Sequence, residues 1–132
     1  MVNNQNKILL VDDTPEFLEI FKIKLTQNNF DVETATNGKE ALDKIKNNNY
    51  DLIILDVMMP EMDGITTALE IMKMKDKQNI KFVFLTNFGE DNPLIGKEVD
   101  EYYAKQIGAS AFFRKTEDIN NIVDGIKKIL FQ

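Results

Sequence analysis

LIILDVMMPEMDG, Leu52 to Gly64, opens with four large apolar residues and stops abruptly on Asp56. A strand with one wet face alternates apolar and polar residues. An uninterrupted run fits a strand covered on both faces, as in a parallel sheet. Four further short apolar runs appear, several of them near-continuous as well: Lys7 to Val11, Phe30 to Ala35, Phe82 to Leu85 and Ala111 to Phe113.

Helical patterns lie between and after these runs. Leu18, Phe21 and Leu25 share one face of a segment whose Pro15 suits a first helical turn. Ala41, Leu42 and Ile45 mark a second helix, and Ile65, Ala68, Leu69 and Met72 a third. Gly108 follows Ile107 where a fourth helix should stop. Ile119, Ile122, Val123, Ile126, Ile129 and Leu130 give the clearest helical spacing, in a fifth. The order βαβαβαβαβα predicts an α/β fold, a doubly wound five-stranded parallel sheet in a three-layer αβα sandwich.

Composition narrows the chemistry. The 132 residues predict one domain over 1–132 with no output domain in this chain. Cysteine and histidine are both absent from the sequence, which excludes disulfides, thiolate or imidazole metal sites and Ser-His-Asp catalysis. No run is long enough to cross a bilayer, and the polar start, MVNNQN, lacks a signal-peptide core. The expectation is a cytoplasmic protein without membrane contact. A net charge of −6 argues against direct nucleic-acid binding.

In open parallel sheets, ligands sit beyond the C-terminal ends of the strands. Asp12 and Asp13 follow strand one, and Asp56 ends strand three. If the strand order is 2-1-3-4-5, these strands are neighbours and three carboxylates crowd one pocket. Two unit charges 4 Å apart repel by about 4 kcal/mol at an effective dielectric of 20, so a hard divalent cation is the natural partner. Oxygen-only ligands favour Mg²⁺. Thr86 at the end of strand four offers a hydroxyl, and Lys115 at the end of strand five an ammonium. A carboxylate nucleophile, a metal, a hydroxyl and an ammonium make a phosphoryl-transfer site. Taken singly, Asp-Asp before a helix reads as an N-cap, Thr86 as a β-former and Lys115 as a solvated cation. Their joint placement at strand ends favours the site.

With the motifs LLVDDTPEF, TNGKEAL, DLIILDVMMPEMDG, FVFLTN and GASAFFRK, the chain resembles a response-regulator receiver domain of two-component signalling. The resemblance spans about Lys7 to Leu130 and implies the flavodoxin-like strand order 2-1-3-4-5. It implies Asp56 as phosphoacceptor, with Mg²⁺ held by the side chains of Asp13 and Asp56 and the backbone carbonyl of Met58, and Asp12 acting mainly through water. Thr86 would bond one phosphoryl oxygen and Lys115 another. Pro60 and Gly64 would shape the loop after strand three. Thr86 and Phe112 would form the switch, reshaping the surface of the fourth helix, fifth strand and fifth helix to control an output partner. The donor would be a sensor histidine kinase or histidine phosphotransfer protein, docking near Phe17, Leu18, Phe21 and Leu25, unless those residues face the core. Such a protein catalyses its own phosphorylation and dephosphorylation.

Departures from the family pattern are informative. Thr116 stands where a proline usually follows the lysine, and is expected to cap the last helix with Glu117 and Asp118 in its first turn. Asn87 replaces a small residue after Thr86. The interval from Thr86 to Lys115 is extended, with the excess around Phe88 to Val99. Met58 and Phe88, two residues beyond Asp56 and Thr86, cannot orient a water strongly, which predicts slow loss of the phosphoryl group. Met58 also argues against an aspartate-nucleophile phosphatase, which needs an acid there. A phosphate loop at Gly89 to Lys97 fails on spacing. A pseudo-receiver that only binds partners is the alternative.

Overall fold

Each apolar run is a strand: β1 Lys7–Val11, β2 Asp31–Ala35, β3 Leu52–Leu55, β4 Lys81–Thr86 and β5 Ala111–Arg114. The structure is a computed structural model that describes residues 5–59, 61–77, 79–86 and 105–131. The strands form one sheet in the order β2-β1-β3-β4-β5, and every pairing is parallel. This is the expected doubly wound topology.

Alternation explains why the runs of β1 and β3 are continuously apolar. Leu9 and Val11 of β1 and Ile53 and Leu55 of β3 enter one core, with Ala41, Ile45, Ala68 and Ile71 from helices. Ile8, Leu10, Leu52 and Ile54 enter the other, with Leu18, Phe21, Leu25, Ile122, Val123 and Ile126. Successive side chains point to opposite faces, and both faces are dry. Helices α2 (Gly38–Asn47) and α3 (Gly64–Met72) cover the first face; α1 (Pro15–Gln27) and α4 (Ile119–Leu130) cover the second.

The helix starts follow from local chemistry. Pro15 opens α1 after Thr14. Asn37 Oδ1 accepts from the Glu40 N–H at 2.8 Å, while Glu40 Oε1 accepts from the Thr36 N–H at 2.6 Å, a reciprocal cap for α2. Asp63 caps α3 through the Thr66 N–H at 2.7 Å. Residues 105–107 are helical, and Gly108 ends that turn at φ +101°, a left-handed value that glycine adopts without strain. The rest of the helix expected there lies outside the described residues, as do Pro60, Asn87, Phe88 and the segment to Val99.

One helix face needs correction. The apolar spacing puts Leu69 and Met72 on one face of α3 with Ala68, yet each is 45% exposed. The buried stripe is Gly64, Thr67, Ala68 and Ile71 instead. Thr67 fits because its hydroxyl donates to the Asp63 carbonyl at 2.8 Å, so burial leaves no orphan polar group. On α1, Leu18, Phe21 and Leu25 face the core, as their shared helix face implies; the exposed large apolar residues there are Ile20 and Ile23.

Candidate functional site

Val11 of β1 pairs with Leu55 of β3, so the next residue on each strand, Asp12 and Asp56, leaves the sheet beside the other. The ladder continues one step further. The Asp12 N–H donates to Ala35 O at 3.1 Å, and the Asp56 N–H to Val11 O at 3.0 Å. Backbone register thus aims both carboxylates at one rim. Asp12 and Asp56 are buried, Asp13 is exposed, and one oxygen of each lies within 4.8 Å of the others. The three carboxylates converge as expected.

Lys115 follows β5, which stands two strands from β3, a separation of roughly 10 Å at ordinary strand spacing. A long side chain is needed to cross it. Lys115 Nζ lies 2.6 Å from Asp12 Oδ2 and 3.3 Å from Asp56 Oδ2, and its side chain is only 12% exposed. Asp12, expected to act mainly through water, is therefore the closer partner of the lysine. Its Oδ1 also accepts from the Thr14 N–H at 2.8 Å, closing the turn into α1. The helix cap itself is Thr14, so Asp12 is a site residue and a turn residue at once.

Charge crowding shifts the titrations. Burial pushes the Asp56 carboxyl up to about 6, and the Asp12 charge adds to this, against the pull of Lys115 and the Met58 N–H. That N–H donates to Asp56 Oδ1 at 3.3 Å. Burial alone would lower the Lys115 ammonium, but its hydrogen bond to Asp12 and the Asp56 and Asp12 charges raise it overall. Three carboxylates with one ammonium among them leave a negative pocket of oxygen donors, a chemistry that fits a hard divalent cation.

The loop after Asp56 is anchored by backbone contact. The Gly64 N–H donates to Val57 O at 2.9 Å, and a Cβ on Gly64 would collide with the Asp56 carbonyl oxygen. No rotamer can relieve a clash with backbone. Helix propensity favours alanine here by at most about 1 kcal/mol, and the overlap should outweigh it. Gly64→Ala is expected to lower stability by roughly 2 kcal/mol in urea unfolding. An unchanged midpoint would show that the loop yields freely.

The β5–α4 turn works without the proline. Glu117 Oε2 accepts from the Arg114 N–H at 2.6 Å, and the Glu117 N–H donates to Arg114 O at 3.0 Å. This clasp holds the turn that carries Lys115. The cap of α4 is Asp118, whose side chain accepts from the Asn120 N–H at 2.8 Å, and not Thr116. Asp118 wins because it directly precedes the first helical turn, while Thr116 sits inside the clasp. Phe112 is half-buried, packs against the first core, and carries the Arg114 guanidinium over its ring at 5.6 Å. Thr86 ends β4, and its side chain lies outside the described residues.

Known proteins resemble this chain in sequence and fold. The profile described as "Response regulator receiver domain" matches residues 8–127. The chain is 40% identical over 125 residues to the transcriptional regulatory protein CpxR homolog of Haemophilus influenzae, covering 95% of this chain and 50% of that protein. It is 38% identical over 103 residues to the transcriptional regulatory protein SrrA of Staphylococcus aureus, covering 76% of this chain and 42% of that one. The chain thus spans about half the length of these curated relatives. Among solved structures, the response regulator protein TrrA of Thermotoga maritima, in complex with Mg²⁺-BeF, is 32% identical with a TM-score of 0.76, over 96% of this chain and all of that one (100%). A CheY-like receiver domain protein of Methanospirillum hungatei is 25% identical with a TM-score of 0.83, over 97% of this chain and 95% of that one. With the profile match, the shared strand order and the acidic rim facing a lysine, the chain belongs to the response regulator receiver domain family of two-component signalling.

Proposed function

We propose that Asp56 accepts a phosphoryl group from the phosphohistidine of a sensor histidine kinase or histidine phosphotransfer protein, and that the chain is a phosphorylation-activated switch. One observation carries this reading: Asp56 shares its pocket with Asp12 and Asp13 and faces the Lys115 ammonium. An Asp56 oxygen attacks phosphorus as the bond from phosphorus to the donor nitrogen breaks. Receiver domains take Mg²⁺ at this acidic pocket, and the oxygen set here fits it, with Asp13, Asp56 and the Met58 carbonyl as the proposed ligands. When bound, the ion supplies positive charge against that of the transferred oxygens. Lys115, already against Asp12 and Asp56, supplies positive charge as well.

Phosphorylation adds about −1.5 to −2 charge and three strong acceptors. Thr86 and Lys115 are the proposed partners of those acceptors, and Phe112 the aromatic that moves in response. The proposed output surface is formed by the helix that ends at Gly108, by β5 and by α4. Of the apolar residues on α1, Ile20 and Ile23 rather than Leu18, Phe21 and Leu25 are free to meet the donor, because only the former pair reaches solvent.

The relatives are named as transcriptional regulators, and a role as the receiver of such a regulator fits. The negative charge of this chain leaves nucleic-acid contact to other sequence. Among the described residues no helix is long and apolar enough to cross a membrane; a cytoplasmic site, where Mg²⁺ and a kinase are at hand, fits the reading. Incubation with Mg²⁺ and acetyl phosphate should add one acid-labile phosphoryl group by intact mass, and chelation should prevent it. A chain that gains none, from acetyl phosphate or from a competent kinase, is instead a phosphorylation-independent binding module.

A further inference from the structure

Lys115 has a third neighbour that neither carboxylate explains. Its Nζ stands 4.6 Å from the centre of the Phe17 ring. The ring is half-buried on α1 and braced by a T-shaped contact with Phe21, 5.5 Å away at 76°, which is itself fully buried in the core. A path of contacts therefore runs from the core through Phe21 and Phe17 to the ammonium, and from there to Asp12 and Asp56.

We propose that Phe17 is a positioning residue for phosphoryl transfer to Asp56: its ring face seats the Lys115 ammonium between the two carboxylates and lets it slide toward the incoming phosphoryl group. The inference rests on Asp56 being the phosphoacceptor. A ring face suits the task better than a hydrogen-bond acceptor. Attraction to the ring quadrupole is electrostatic and gains strength when water is excluded. It tolerates a shift along the face, whereas an acceptor holds the ammonium at one point. A carboxylate in place of Phe17 would draw the lysine away from the site, and a small residue would admit water.

In the test, an Asp56 oxygen forms its bond to phosphorus, the bond between phosphorus and the acetyl oxygen breaks, and acetate leaves. Phe17→Leu keeps an apolar side chain and removes the ring; Phe17→Tyr keeps the ring face. With saturating Mg²⁺, Phe17→Leu should phosphorylate about tenfold more slowly than wild type, the loss of one desolvated cation–π contact, and Phe17→Tyr should recover most of the rate. A residue that only packs would cost the same with or without its lysine. Urea unfolding of Phe17→Leu, Lys115→Met and the double variant separates the two roles. The loss from Phe17→Leu should shrink in the Lys115→Met background. An additive cycle, or Phe17→Leu reacting at the wild-type rate, overturns the proposal. A wild type inert to acetyl phosphate and to a competent kinase overturns the phosphoacceptor reading beneath it, and that outcome is recognisable because every variant is then equally inert.

Discussion

Asp56→Asn should take up no acid-labile phosphoryl group at this position under conditions that label the wild type. The neutral amide has no carboxylate oxygen to form the bond to phosphorus, so the expected loss is at least about 10³-fold, the scale of removing a nucleophile outright. The fold should survive. Asn replaces Asp almost isosterically, and the register that places residue 56 comes from its backbone bond to Val11 O. Asn removes one of three crowded negative charges, and it also removes the group that burial and Asp12 push up to about 6. The metal-free variant should therefore be more stable than the metal-free wild type at pH 7.5, by about 2 kcal/mol. Intact-mass analysis and urea unfolding check the two halves. A variant that still labels at full rate would show that another residue receives the phosphoryl group.

That one substitution should inactivate and stabilise together shows why the site could be read from sequence. A run such as LIILD ends on a charge that packing would not choose, and the same occurs after LLV. Such local conflicts between an apolar strand and its terminus are visible in one dimension. So were the strands, because burial on both faces leaves a continuous apolar signature. Roles set by contacts between distant residues were not visible. Phe17 and Phe21 carry the spacing of any core-facing helix, and nothing local shows that the first of them meets Lys115. Lys115 could be placed at the rim, but its preference for Asp12 depends on how the lysine crosses β4. Thr116, Glu117 and Asp118 are all plausible cap residues in a row; only geometry assigned Glu117 to the clasp and Asp118 to the cap. On α3, Leu69 and Met72 outscored Thr67 on hydrophobicity, although small residues let the helix approach the sheet.

Lys115→Met in the metal-free protein should cost about 3 kcal/mol at pH 7.5, the scale of removing one partner from a buried ion pair. The lysine is the cation paired with both Asp12 and Asp56, and all three side chains are largely shielded from solvent. Methionine preserves the apolar stem, so the loss is electrostatic. Its pH dependence follows from Asp56. In the wild type this carboxyl titrates near 6 when folded, against an ordinary value of 3.8. The folded state thus binds the extra proton between these values, and stability falls as pH rises through that window, with the cost complete above it. Without Lys115 the carboxyl loses one of the influences that hold it down, so the window moves upward and the cost at pH 7.5 grows. The raised ammonium contributes stability below the ordinary lysine range and gives it up only as pH passes its folded value, so it is intact throughout these conditions. Measured as the difference between variant and wild type, which cancels the other carboxylates, the penalty should fall by about half at pH 5, because a neutral Asp56 no longer needs the ammonium. Mg²⁺ should recover much of it at pH 7.5. An ion at 100 times its dissociation constant stabilises by about 2.7 kcal/mol, and it meets less competition for the pocket once the lysine is gone. A penalty that is the same at both pH values and indifferent to Mg²⁺ would mean that Lys115 supports the fold by packing, and that the rim carboxylates do not act as one charge cluster.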